Sequence, residues 1–156
     1  MIDDQYKREQ KKAHACIFRL LKLRLRSEKE IRDHLKRKNF SQSVIEHAAE
    51  YFKQADLIND RTFAKAWIAS RLARPFGINR IRYELIQKGI DKELLNSELD
   101  QAKSRTDEQS SVRELALKQN AKHARLDKLK RKQRVYGYLL RKGFQAETIN
   151  KVLREL

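Results

Sequence analysis

Two sets of basic side chains recur at spacings that would gather them on helix faces. Lys12, Arg19, Lys22 and Arg26 are separated by 7, 3 and 4 residues, the step of neighbours along one side of an α-helix. Ala13, Cys16, Ile17, Leu20 and Leu21 form an apolar stripe beside them. Towards the other end, Arg131, Arg134, Tyr138, Arg141 and Lys142 share an outward face, with Lys128, Lys130 and Lys132 at its start. Leu129, Val135, Tyr136, Leu139 and Leu140 form the stripe expected to face inward. A cationic helix face that includes an aromatic ring suits contact with phosphates combined with stacking on a base. Arg19, Lys22, Arg26, Lys128, Lys130, Arg131, Lys132, Arg134 and Arg141 are therefore the candidate contact residues. Their partner is DNA or an acidic protein surface.

Other chemistry lacks its residues. The four glycines are isolated, so no Gly-rich phosphate loop exists, and neither H-E-x-x-H nor C-x-x-C occurs. His14, His34, His47 and His123 stand apart, and carboxylates mostly lie three or four residues from Lys or Arg, as surface pairs do. No catalytic, cofactor or metal site is assigned, and the chain is expected not to be an enzyme.

The charge is unevenly distributed. Of the 156 residues, 37 are Lys or Arg and 21 are Asp or Glu, a net charge of +16. Residues 1–40 hold a net +7, residues 41–102 hold 0, residues 103–142 hold +9 and the remainder 0. Two basic blocks around a neutral middle imply a designated electrostatic face, with both blocks expected along one flank. One Pro and four Gly cannot supply the turns of an all-β sandwich or barrel. A single Cys, Cys16, excludes an internal disulfide framework and suits a reducing compartment. No apolar run is long enough to span a bilayer. Met1-Ile2-Asp3-Asp4-Gln5 lacks the basic and apolar regions of a secretory signal. The chain is expected to be cytoplasmic, and the sequon Asn39-Phe40-Ser41 is read as chance.

An internal repeat supplies the elements that position these faces. Residues 31–40, 81–90 and 135–144 align without gaps, each with a β-branched first residue and Leu four later. Each ends in Lys, then Asn or Gly (Asn39, Gly89, Gly143), then a large apolar residue. Asn and Gly are the residues that accept left-handed dihedrals just past a helix, and Lys before them complements the helix dipole. Starts are marked as well: Ser27-x-x-Glu30 fits a capping box, and Ser41, Asp60, Asn79, Asp91 and Asp107 are N-cap types. These signals predict nine helices, over roughly 4–25, 28–38, 42–55, 61–74, 80–88, 92–103, 108–123, 127–142 and 146–155. That is three helices per unit and no strand, with units at 1–58, 59–106 and 107–156. The expected fold is all-α: an elongated, curved array of three tandem three-helix repeats. Trp67, Phe63, Ala64 and Ile68 are expected in the core of the second unit, and Tyr51 and Phe52 are also expected to be core. Phe76, beside Pro75 and Gly77, is expected to be exposed in a joint.

The run Leu57-Ile58-Asn59-Asp60-Arg61-Thr62-Phe63-Ala64, followed by Trp67-Ile68 and Ser70-Arg71, resembles the middle of the bacterial RecX family of recombination regulators. So does Gly77-Ile78-Asn79-Arg80-Ile81-Arg82-Tyr83-Glu84-Leu85-Ile86-Gln87-Lys88-Gly89-Ile90, and Ser27-x-x-Glu30-Ile31…Leu35 resembles the family's first unit. Asn39 departs from the usual Gly, and Ile78 stands where small residues or Pro are common. The last third matches by repeat pattern alone. The resemblance implies a negative regulator that binds the groove of the RecA nucleoprotein filament and inhibits strand exchange, ATP hydrolysis and coprotease activity. Its implied partners are the RecA filament, single-stranded DNA and, secondarily, double-stranded DNA. No membrane partner and no cofactor are expected from the residues, and the chain is expected to act as a monomer. The competing reading is a free-standing helical DNA-binding module, a transcription or nucleoid factor, because short helices with tight stops also resemble helix-turn-helix elements.

Overall fold

Helix termination organises this chain. In the computed structural model, the backbone is described for residues 2–156 and side chains for residues 4–156. The reading of the N-terminal pentapeptide rests partly on Met1, Ile2 and Asp3, whose side chains lie outside the described residues. Among the described residues, four take positive φ: Asn39 (60°), Asp56 (54°), Gly89 (76°) and Gly143 (87°). Three of them are the stops predicted from the repeat. At Asn39 the helix closes by Phe40 N–H to Leu35 O (3.2 Å) and Asn39 N–H to Lys36 O (2.9 Å), the paired bonds of a Schellman stop. Gly143 repeats it with Phe144 N–H to Leu139 O and Gly143 N–H to Leu140 O. Asp56 makes the same stop after Phe52, a position the repeat does not mark.

Between these stops run nine helices among the described residues: α1 (Ile2–Leu23), α2 (Glu28–Arg37), α3 (Gln42–Gln54), α4 (Asp60–Leu72), α5 (Ile78–Gln87), α6 (Lys92–Lys103), α7 (Glu108–Lys122), α8 (Lys128–Arg141) and α9 (Ala146–Glu155). No strand occurs among them. Ser27 caps α2 as predicted: its Oγ accepts from Glu30 N–H (3.2 Å), and Glu30 Oε2 accepts from Ser27 N–H (3.3 Å). Asp107 caps α7 through Ser110 N–H (3.0 Å). Three predicted caps do not form as read. The side chain that caps α4 belongs to Asn59, whose Oδ1 accepts from Thr62 N–H (3.0 Å), while Asp60 turns to accept from Glu28 N–H (2.8 Å). Asn79 lies inside α5, and Ser41 makes no side-chain cap bond to α3.

The described chain forms two compact units, Met1–Ala64 with Gln87–Asp91, and Lys65–Ile86 with Lys92–Leu156. In the first, Ala13, Ile17, Ile31, Leu35, Val44, Ile45, Ala48, Phe52 and Ile58 make one buried cluster from α1, α2, α3 and the segment after α3. In the second, Val112, Ala116, Val135, Leu139, Phe144, Ile149, Val152 and Leu153 gather from α7, α8, α9 and the α8–α9 connection. Ile68, Ile78, Ile81, Leu85, Leu95 and Leu99 of that unit are buried too. Phe52, Phe63, Ala64 and Ile68 are buried as predicted. Tyr51 is not core: it is 54% exposed. Trp67 is only half-buried, with its indole N–H donated to Glu84 (2.9 Å).

Each unit contains one joint, and the two joints are built from aligned positions of the repeat. In the first unit, Ser27 Oγ–H donates to Lys88 O (2.7 Å), Lys88 Nζ bonds Glu30 (2.7 Å), and Gly89 lies against Lys29. In the second, Gly77 N–H donates to Lys142 O (2.9 Å), Asn79 N–H donates to Gly143 O (3.0 Å), and Gly143 lies against Arg80. A helix stop thus sits on a helix start: the carbonyls left free at the stop meet the Ser27 hydroxyl in the first joint and backbone N–H groups in the second.

Glu30 makes the first joint sensitive to acid. Burial pushes its carboxyl up, but hydrogen bonds and charge from Arg24 and Lys88 outweigh that and hold it at about 2. A depressed carboxylate contributes stability that is fully present above its unfolded pKa, about 4.3, and is lost as pH falls through the folded value. The chain is expected to lose up to about 3 kcal/mol between pH 5 and pH 2 from this group. Glu30→Gln should flatten that part of the acid-denaturation curve; an unchanged curve would remove Glu30 from the account.

Candidate cationic interface

The α1 face forms largely as the spacing predicts. Ala13 and Ile17 are fully buried, and Lys12, Arg19 and Lys22 stand exposed on the other side. Arg8 and Lys11, which the sequence reading did not select, are exposed on the same helix. Arg26 does not belong to this face. α1 ends at Leu23, and Arg26 lies half-buried in the connection to α2. Its guanidinium pKa is lowered by burial and by the Arg24 charge, against a smaller upward pull from Glu30, and its Nε has no hydrogen-bond partner. Extending the helical period past the end of the helix placed it wrongly.

The faces of α8 divide differently from the expectation. Val135 and Leu139 are buried, as read. Leu129 and Leu140 are not inward: they are 69% and 42% exposed. Tyr138, read as outward, packs half-buried against the cluster of Val135 and Leu139, as does Tyr136. The helix is rotated so that both tyrosines flank the core, which turns Leu129 and Leu140 to solvent. Lys128, Lys130, Arg134 and Arg141 are exposed, whereas Arg131 and Lys132 are half-buried. Lys132 Nζ donates to Leu153 O (2.7 Å), so this ammonium ties α8 to α9. The cationic stripe on α8 is therefore Lys130, Arg134 and Arg141, at steps of 4 and 7. Among the described residues Arg134 and Arg141 make no ion pair, and Lys130 meets only Asp127 at 3.5 Å, both well exposed, a pairing worth little.

Arg141 also lines an open groove of about 440 Å³ with Asn79, Arg80, Tyr83 and Leu140. Behind it lies a cluster that the sequence reading did not resolve. Phe76 is half-buried rather than exposed, with Arg80, Lys142 and Arg71 at 4.2, 4.9 and 5.7 Å from its ring centroid. Glu84 accepts from Trp67 Nε1 (2.9 Å), Arg71 Nε (2.7 Å) and Arg80 Nε (3.2 Å). Burial raises its pKa, but these donors more than reverse that and hold it below the usual carboxylate range. Arg71 and Arg80 are thus partly neutralised by one carboxylate and held by cation–π contact, while Arg19, Lys22, Arg134 and Arg141 make no ion pair among the described residues. Only the spacing Arg71–Arg80–Glu84 hints at this cluster in the sequence.

No group of three or more His, Cys, Asp or Glu among the described residues could hold a metal ion, and no helix among them is long and apolar enough to cross a membrane. Helices in threes, cores made of helix faces, and outward cationic stripes define a tandem helical-repeat protein with charged outer faces. Three family descriptions match in order: RecX, first three-helix domain, over residues 13–52; second, over 59–99; third, over 106–153. A "Regulatory protein RecX" of Caldanaerobacter subterraneus is 32% identical over 93% of this chain and 71% of its own length. That of Chlorobium phaeobacteroides is 34% identical over 95% of both chains. One from Clostridium perfringens is 34% identical, with 62% of its length covered. A crystal structure of RecX from Lactobacillus salivarius shares the fold, with a TM-score of 0.83 at 24% identity over 96% of this chain and 97% of that one. The chain belongs to the RecX family, whose members carry the name of regulatory proteins.

Proposed function

We propose that this chain is a negative regulator of RecA. It binds the RecA nucleoprotein filament through its cationic helix faces and lowers the filament's recombinase, ATPase and coprotease activities. The observation that carries this reading is the pair of outward stripes, Arg19 and Lys22 on α1, and Lys130, Arg134 and Arg141 on α8, in a chain of a regulatory family. Several weak cationic contacts on repeated helical units sum to a useful affinity for a repetitive, charged partner. The inhibitory step is selective binding: the chain holds the filament in a state that cannot cycle, and its preference for that state sets the degree of inhibition. The three repeat units at 1–58, 59–106 and 107–156 act as tandem contact modules of one monomer in the cytoplasm.

Protein added well below one copy per RecA protomer is expected to slow ATP hydrolysis by filaments already formed on single-stranded DNA. Hydrolysis that is unaffected even at equimolar protein would overturn the proposal. Binding that favours bare DNA over RecA-coated strands would instead identify a free-standing DNA-binding module. Such a module should show log–log salt slopes of roughly −0.7 to −0.9 per phosphate contacted.

A further inference from the structure

A second feature of the first unit lies outside the cationic stripes. Tyr51 of α3 and Phe18 of α1 expose 54% and 47% of their surface. They are the outer members of one continuous aromatic cluster. His14 stacks on Tyr51 with centroids 4.7 Å apart and planes at 24°. Phe52, fully buried, meets His14, Phe18 and Tyr51 edge-on at 5.2, 4.9 and 5.4 Å. The exposed rings are therefore fixed from beneath, and little rotamer freedom remains to be lost when something lands on them. Burial lowers the pKa of His14, the ring on which Tyr51 stacks.

The charges around the cluster indicate its partner. Along α1, Lys11, His14, Phe18 and Lys22 follow at steps of 3, 4 and 4, so cations stand at both ends of the aromatic run, and both lysines are exposed. Those lysines are separated by about 16 Å along the helix axis, room for several phosphates. Glu50, next to Tyr51 in sequence, is engaged by Gln54 (3.2 Å). Exposed rings between cations fit a chain of alternating flat bases and anions better than an apolar protein helix, which would leave the lysines without partners.

We propose that Tyr51 and Phe18 form a stacking platform for unpaired bases of a single-stranded nucleic acid, with Lys11 and Lys22 meeting the flanking phosphates. This rests on the nucleic-acid part of the function proposed above and gives it a site.

The test compares a thymidine oligomer of about 20 nucleotides with an abasic oligomer of equal length, which has the same phosphates and no bases. Fluorescence anisotropy with the full chain is expected to show about tenfold tighter binding of the thymidine strand, the worth of a stacked base. Tyr51→Ala should bring that ratio close to one while leaving the salt slope unchanged, and Tyr51→Phe should keep the ratio. Melting by circular dichroism checks that each variant is folded. Equal affinity of the unaltered chain for the two oligomers, binding to neither, or a ratio unmoved by Tyr51→Ala would each overturn the platform. Loss of filament inhibition in Tyr51→Ala without any base preference in the parent chain would also overturn it, and would mark a protein-docking surface. Base preference without filament inhibition would keep the platform and overturn the regulator.

Discussion

Gly77→Ala is expected to cost about 3 kcal/mol or more of folding stability and to lower the melting temperature by roughly 6–12 °C. A Cβ on Gly77 would lie 2.3 Å from the Gly143 carbonyl carbon and oxygen and from the Phe144 nitrogen. All three are backbone atoms, so no rotamer change can clear them. Relief requires separating two segments tied by Gly77 N–H to Lys142 O and Asn79 N–H to Gly143 O. The joint of the second unit would then lose both bonds and the packing behind them. Gly137→Ala should act in the opposite direction. Gly137 lies inside α8, and its Cβ would meet only the Arg141 guanidinium, at 3.3 Å. That long side chain can move aside, and Ala is favoured over Gly in a helix interior by up to about 1 kcal/mol. Thermal melts of the two variants give the comparison. A Gly77→Ala protein that melts within a degree or so of the parent chain would show that the joint tolerates separation.

The contrast between the two glycines marks what was legible beforehand. A stop at Gly143 follows from residue type and repeat register, because a left-handed residue must lie just past the helix. Gly77 carries no such signal: its constraint comes from a segment more than sixty residues away. The same division runs through the candidate interface. Arg19 and Lys22 were readable because α1 is long and its buried stripe is unambiguous. Arg26 was misplaced although the capping box at Ser27 already required a new helix at Glu28, which leaves α1 no room to reach it. On α8, apolarity was mistaken for burial. Leu129 and Leu140 lie eleven residues apart on one stripe, beside the stripe that holds Val135 and Leu139. Tyrosine can serve either stripe because its ring packs and its hydroxyl tolerates water. Tyr51 failed for a related reason. Adjacent to Phe52 in sequence, it lies about 100° away around α3, and only one of the two can face the core.

The triple variant Lys130→Glu, Arg134→Glu, Arg141→Glu is expected to abolish inhibition of RecA filaments while leaving helix content unchanged. The three side chains are exposed and point away from Val135 and Leu139, so their replacement removes no core contact. Glu is a good helix former, and the Asp127 side chain still accepts from the backbone N–H of residue 130, so the helix start is kept. The binding energetics change far more. Reversing a charge replaces attraction by repulsion, a swing of about 1–2 kcal/mol per contact at a few ångströms in water. Three such swings reduce affinity by on the order of a hundredfold or more at low salt, less as salt screens them. The neutral set Lys130→Gln, Arg134→Gln, Arg141→Gln should fall between the parent and the reversed variant. If the contacts are phosphates of a single strand, each one lost should also shallow the log–log salt slope by about 0.7. If they are carboxylates of RecA, coated and bare strands should diverge instead, with the variant losing affinity for the coated strand alone. Half-buried Lys132, bonded to Leu153 O, supplies the structural control: Lys132→Glu should lower the melting temperature through the α8–α9 contact, an effect the outer three should lack. Full inhibition by the reversed triple variant at moderate salt would remove the α8 stripe from the interface.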